Sequence, residues 1–89
     1  MNKFSSETLG KLTEEKAVEY YKKQGYQVLN INRKGFPDLI VLKDREIQFF
    51  VEVKGGRHKI HSWQKQMHKK LEEMGFQVEV FRIENDEER

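Results

Sequence analysis

The sequence predicts an α/β domain: a mixed β-sheet flanked by helices, with elements in the order α-β-β-β-α-β. Three observations predict it. Two segments carry apolar residues at helical spacing, four short segments are rich in β-branched and aromatic residues, and turns marked by glycine or proline separate them. The 89 residues suffice for one domain, over 13–83. A polar stretch at 1–12 reads as an arm, mobile or packed on a partner, and 84–89 as an acidic tail. A domain this small buries only about 60% of the surface its unfolded chain exposes. A second subunit would add to that thin core, so a homodimer is expected.

Thr13 reads as the N-cap of the first helix, with Glu14 and Glu15 at the positive end of its dipole. Ala17, Val18 and Tyr21 form its apolar stripe, and Gly25 stops it. Glu14 lies one turn before Ala17 and Val18 and shares their face; Glu15 is rotated away by about 100°. Residues 26–32 make a first strand, and 33–37 a turn containing Gly35 and Pro37. Asp38 opens a second strand, Asp-Leu-Ile-Val-Leu, apolar enough to be central. Ile47 to Lys54 is a third strand, ended by Gly55-Gly56. Ser62 to Met74 is the second helix, with Trp63, Met67, Leu71 and Met74 as its stripe and Gly75 as its stop. Phe76 to Ile83 alternates apolar and polar residues as a last strand.

Composition narrows the setting. There is no cysteine, which fits a reducing, cytoplasmic compartment. No apolar run is long enough to cross a membrane, and Gly55-Gly56 lacks the other residues of a nucleotide-binding loop, so neither a membrane nor a nucleotide cofactor is expected. The net charge is only +2, but its distribution is uneven. Between Lys54 and Lys70 stand six Lys or Arg, three His and no acid, whereas 84–89 hold four acids. A basic run beside a strand end suits phosphate contact, with a plain solvated face as the alternative. Arg57, Lys59, Lys65 and Lys69 are the candidate backbone contacts.

Glu52 and Lys54 project from the same face of the third strand, about 7 Å apart along it. Charges within an apolar strand are costly unless paired or bound to a metal. Asp38 begins the neighbouring strand. Two carboxylates at adjacent strand ends offer the oxygen ligands that Mg2+ prefers, completed by waters and phosphate oxygens. Lys54 adds a positive charge beside them. The three histidines, without cysteine, read as phosphate or solvent contacts rather than a zinc site. Trp63 reads as a core or subunit-interface residue, with base stacking as the alternative.

Pro37-Asp38, thirteen residues, then Glu52-Val53-Lys54 resembles the P-D-(D/E)-x-K nuclease motif. A first-helix acid and Gln64 within HSWQKQMHKKLEEMGFQVEVF are similar to the virus-type replication-repair nuclease (VRR-NUC) domain, which resembles archaeal Holliday-junction resolvases. The resemblance implies a restriction-endonuclease-like fold and a Mg2+-dependent DNA endonuclease, Mn2+ substituting. It makes Asp38 and Glu52 metal ligands, with the Val53 carbonyl adding one, Lys54 the catalytic lysine, and Gln64 a residue near the phosphate or its water network. The first-helix acid maps to Glu14, then Glu15, then Glu19. Members often carry Ser or Thr three positions before that Gln; here His61 stands there, which alters the expected helix cap. A small stand-alone domain is expected to dimerise on branched DNA such as four-way junctions. The alternative is a non-catalytic DNA-binding module of the same fold.

Overall fold

Helix α1 spans Ser6–Lys23 in a computed structural model that describes residues 6–31 and 33–83, side chains from Thr13 onward. The helix starts well before the expected cap at Thr13. Glu7, Leu9, Lys11 and Leu12 all favour helix, which carries the backbone through Gly10 despite that residue's cost of about 1 kcal/mol. Thr13 lies inside the helix against the end of the third strand: a β-carbon placed on Gly55 would stand 3.7 Å from its hydroxyl oxygen. Residues 1–5 of the expected arm, Asn32 and the acidic tail at 84–89 lie outside the described residues.

Both helices end in the same way. Gly25 and Gly75 adopt φ of +95° and +98°, a left-handed conformation that other residues enter at a cost. The Tyr26 N–H donates to the Tyr21 carbonyl at 3.3 Å and the Phe76 N–H to the Leu71 carbonyl at 3.0 Å. These are the long bonds of a Schellman motif, closing carbonyls that a helix end leaves open.

Strands β1 (Gln27–Asn30), β2 (Leu39–Lys43), β3 (Glu46–Gly55) and β4 (Val78–Ile83) form one sheet in the order β1-β2-β3-β4. The first three are antiparallel, β2 and β3 joined by a tight turn with Asp44 and Arg45 at positive φ. β4 lies parallel to β3, reached through α2 (Ser62–Glu73). This is the expected mixed α-β-β-β-α-β sheet.

Alternation along the strands divides the sheet into two faces. On the α1 face Ala17 and Tyr21 pack on Leu39, Val41 and Val51, all buried. Tyr21 makes edge contact with Phe49 at 5.5 Å and donates its hydroxyl to Glu79 at 3.2 Å. On the other face Phe50 meets Phe76 at 5.3 Å, and Leu71 is buried. There the expected stripe of α2 is corrected. The residues α2 buries are Gln64 and Leu71, whereas Trp63 is 44% and Met74 70% exposed. The helix is rotated so that polar Gln64 and His68 face the sheet, where β3 carries the buried acid Glu52 and needs hydrogen-bond partners for it.

Candidate active site

Asp38 stands one residue before β2, and the register that pairs Leu39 with Val51 sets it opposite Glu52. Two bonds fasten it there. Its N–H donates to the Val51 carbonyl at 2.8 Å, and its Oδ2 accepts the Val53 N–H at 2.7 Å. A short bond from a backbone amide to a carboxylate fixes the side chain as well as the chain. Pro37, fully buried, restricts the approach.

Glu52 is only 2% exposed, and both its oxygens are engaged by α2. Gln64 Nε2 donates to Oε2 at 3.0 Å, and His68 Nε2 lies 3.0 Å from Oε1. Gln64 is locked in turn, its Oε1 accepting the His61 N–H at 2.9 Å. That bond is one half of a capping box, so Gln64, which helps close the start of α2, also holds the acid. His61, in place of the expected Ser or Thr, occupies the N-cap position with extended backbone.

Electrostatics records the crowding. Burial, followed by the charge of Asp38 and a hydrogen bond with it, pushes the Glu52 carboxyl up to about 8 against the lowering pull of Lys54. Partial burial and then Asp38 raise Glu14 as well, while Asn30, which donates to Glu14 Oε1 at 3.4 Å, lowers it. Burial lowers the His68 imidazole, and Lys54 adds to that. His68 Nε2 and Glu52 Oε1 share one hydrogen bond, and the imidazole tautomer sets which of them donates.

Asp38 thus connects Glu52 on one side with Glu14 on the other, at the end of the sheet where α1 crosses. Glu14 is partly buried; Glu15 and Glu19, the alternatives, are exposed. Lys54, partly buried, follows Glu52 on the same strand face. Arg57, Lys59, Lys65 and Lys69 are all exposed. The loop bearing Arg57 and Lys59 is pinned to β4 by Arg82, whose Nη1 donates to the His58 carbonyl at 2.7 Å and the Gly56 carbonyl at 3.3 Å.

Sequence reasoning missed His68, reading it as a phosphate or solvent contact. The signal was present: His68 follows Gln64 by four residues, so the two share a helix face.

As they stand, no three of the His, Asp and Glu side chains among the described residues are arranged to hold a metal ion. The donor chemistry nevertheless fits a hard divalent cation. Mg2+ takes one or two carboxylates and keeps several waters, and Asp38 with Glu52 supply such a pair. Their mutual charge raises a proton affinity that a cation would relieve.

A four-stranded mixed sheet with two helices, and an acid pair followed by a lysine where β2 and β3 meet, defines a domain with the restriction-endonuclease-like fold. Residues 2–85 match the model of the VRR-NUC domain, so the chain belongs to that family of PD-(D/E)xK nucleases. No curated protein matches the sequence. Family membership implies a nuclease, acting on nucleic acid, from a family that typically uses divalent metals. Among the described residues no helix is long and apolar enough to cross a membrane.

Proposed function

We propose that the chain is a Mg2+-dependent DNA endonuclease that hydrolyses phosphodiester bonds, as a homodimer, on branched DNA such as four-way junctions. The observation that carries the reading is Glu52, a carboxylate buried beside a second carboxylate and held by two hydrogen-bonding partners. Such an arrangement opposes folding unless a proton or a cation neutralises it. Lys54 offsets part of the charge.

Asp38 and Glu52 hold the ion, with Glu14 reaching from α1 and the Val53 carbonyl adding an oxygen. A bound Mg2+ or Mn2+ supplies Lewis acidity toward a phosphate oxygen and makes its water more acidic. Lys54 presents its ammonium to the negative charge that develops on the phosphate during in-line attack. Gln64 and His68 orient Glu52, and Gln64 also borders the water network. Arg57, Lys59, Lys65 and Lys69 contact the DNA backbone; water adds to phosphorus, the P–O3′ bond breaks and the departing oxygen takes a proton, which gives a 5′-phosphate and a 3′-hydroxyl.

Dimerisation is supported by apolar side chains left exposed on both edge strands, Leu29 at 57% on β1 and Val80 at 42% on β4. Two sites related by a two-fold axis cut two strands symmetrically, which suits a four-way junction. The absence of cysteine suits a cytoplasmic protein.

The test is cleavage of supercoiled plasmid and of linear, flap and four-way substrates, with Mg2+ and with EDTA, alongside sedimentation. Metal-dependent cutting that disappears in Asp38→Ala, strongest on the junction, supports the reading. Binding without cutting under any metal indicates a DNA-binding module instead. Equal cutting by wild type and Asp38→Ala indicates a contaminant.

A further inference from the structure

Trp63 is the only tryptophan of the chain, and the fold leaves it 44% exposed. It neither joins the core nor hangs loose. The His61 ring stacks on it, centroids 5.4 Å apart and planes within 5° of parallel. Its Cε3 edge lies 4.0 Å from where a β-carbon on Gly35 would stand. The indole therefore stacks on His61 and has its edge near the Gly35 turn, and both segments lead to the acid site. Gly35 belongs to the turn leading through Pro37 to Asp38, and His61 is the N-cap residue whose N–H holds Gln64 against Glu52.

An aromatic side chain of this size costs free energy when left in water. Here the surrounding segment, residues 54–70, carries no acid, and Arg57, Lys59 and Lys65 stand exposed within it. A flat apolar ring within a basic segment matches a nucleotide: base against ring, phosphate against cation. Bases inside an intact duplex are already stacked on their neighbours, so only an unpaired or splayed base can lie on such a ring.

We infer that Trp63, backed by His61, is a stacking platform for an unpaired nucleobase beside the scissile phosphate. This inference rests on the nuclease reading above and narrows its substrate class to DNA with a single-stranded or branch-point nucleotide at the cut. Trp63 acts on substrate position, leaving the metal-binding acids untouched.

The experiment titrates the protein in EDTA with a splayed-arm DNA and with a fully paired duplex of the same sequence. It follows Trp63 emission, which reports this residue alone, and DNA anisotropy. Emission should be quenched saturably by the splayed DNA and little by the duplex. Trp63→Ala should weaken splayed-DNA binding by about 5- to 150-fold, the range that loss of one base stack implies. Trp63→Phe should recover most of it, with Mn2+ affinity unchanged in both variants. Emission that stays constant while anisotropy saturates overturns the platform and leaves the nuclease reading intact. So does wild-type affinity in Trp63→Ala, or a dimer that falls to monomer in Trp63→Ala without DNA, which makes the ring a subunit contact. No affinity for either DNA in the wild type, with no metal-dependent cutting, overturns both.

Discussion

Under α1 the sheet presents Leu39, Val41 and Val51, all fully buried, to Ala17 and Tyr21. Under α2 the next residue of the same strand, Glu52, is buried just as deeply, yet its neighbours are Gln64 and His68. One face is an apolar core that lowers the free energy of the folded chain. The other spends part of that stability on a carboxylate pair whose proton affinity is raised by burial and mutual charge. Fold and chemistry are thus separated by the two-residue alternation of β3, and Asp38 at the strand end is the point where they meet.

Substitutions on the two faces should separate accordingly. Asp38→Ala should abolish metal-dependent cleavage, and Lys54→Ala should lower kcat about 100- to 1,000-fold, the loss typical of one charge-stabilising donor. Circular dichroism should show both variants folded. On the α1 face Leu39→Ala should lower stability by about 2–5 kcal/mol, read from urea unfolding, while cleavage per folded molecule is retained. A Leu39→Ala variant as stable as the wild type would break the comparison at its apolar half.

Acid–base linkage sharpens the polar half. Glu52 has a folded-state pKa near 8 against an ordinary 4.5, so folding favours its protonated form. The stability this contributes is fully present below about pH 4.5 and is lost as pH rises through about 8. In the metal-free protein the slope should approach ~1.4 kcal/mol per pH unit within that window. Glu52→Gln should flatten it. His68→Ala should weaken Mn2+ binding by about 10- to 100-fold, as loss of a residue orienting a ligand does, and His68→Gln should restore part of that. The smallest effect belongs to the exposed cations. Lys65→Ala should lower DNA affinity evenly across sequences and reduce its salt dependence by about one counterion.

Much of this was legible in the chain because it is local. Gly25 and Gly75 marked helix ends through backbone conformation alone, and the spacing from Asp38 to Glu52 and Lys54 survives folding because a tight hairpin turn joins β2 to β3. What was not legible depends on partners distant in sequence. The start of α1 was misplaced because a good cap residue, Thr13, also serves inside a helix beside Gly55. The buried face of α2 was misread because apolar spacing selected Trp63 and Met74, while the face is chosen by Glu52, which needs Gln64 and His68. Glu14 is partly buried and interacts with Asp38, whereas Glu15 is exposed.

On the proposed reading Glu52 is a buried acid that a divalent cation neutralises. Calorimetric titration of Mn2+ into the wild type, Glu52→Gln and Asp38→Asn at pH 8 tests it most directly. Saturable binding with release of protons is expected in the wild type, and no measurable binding in either variant. Equal heats from all three proteins would contradict it.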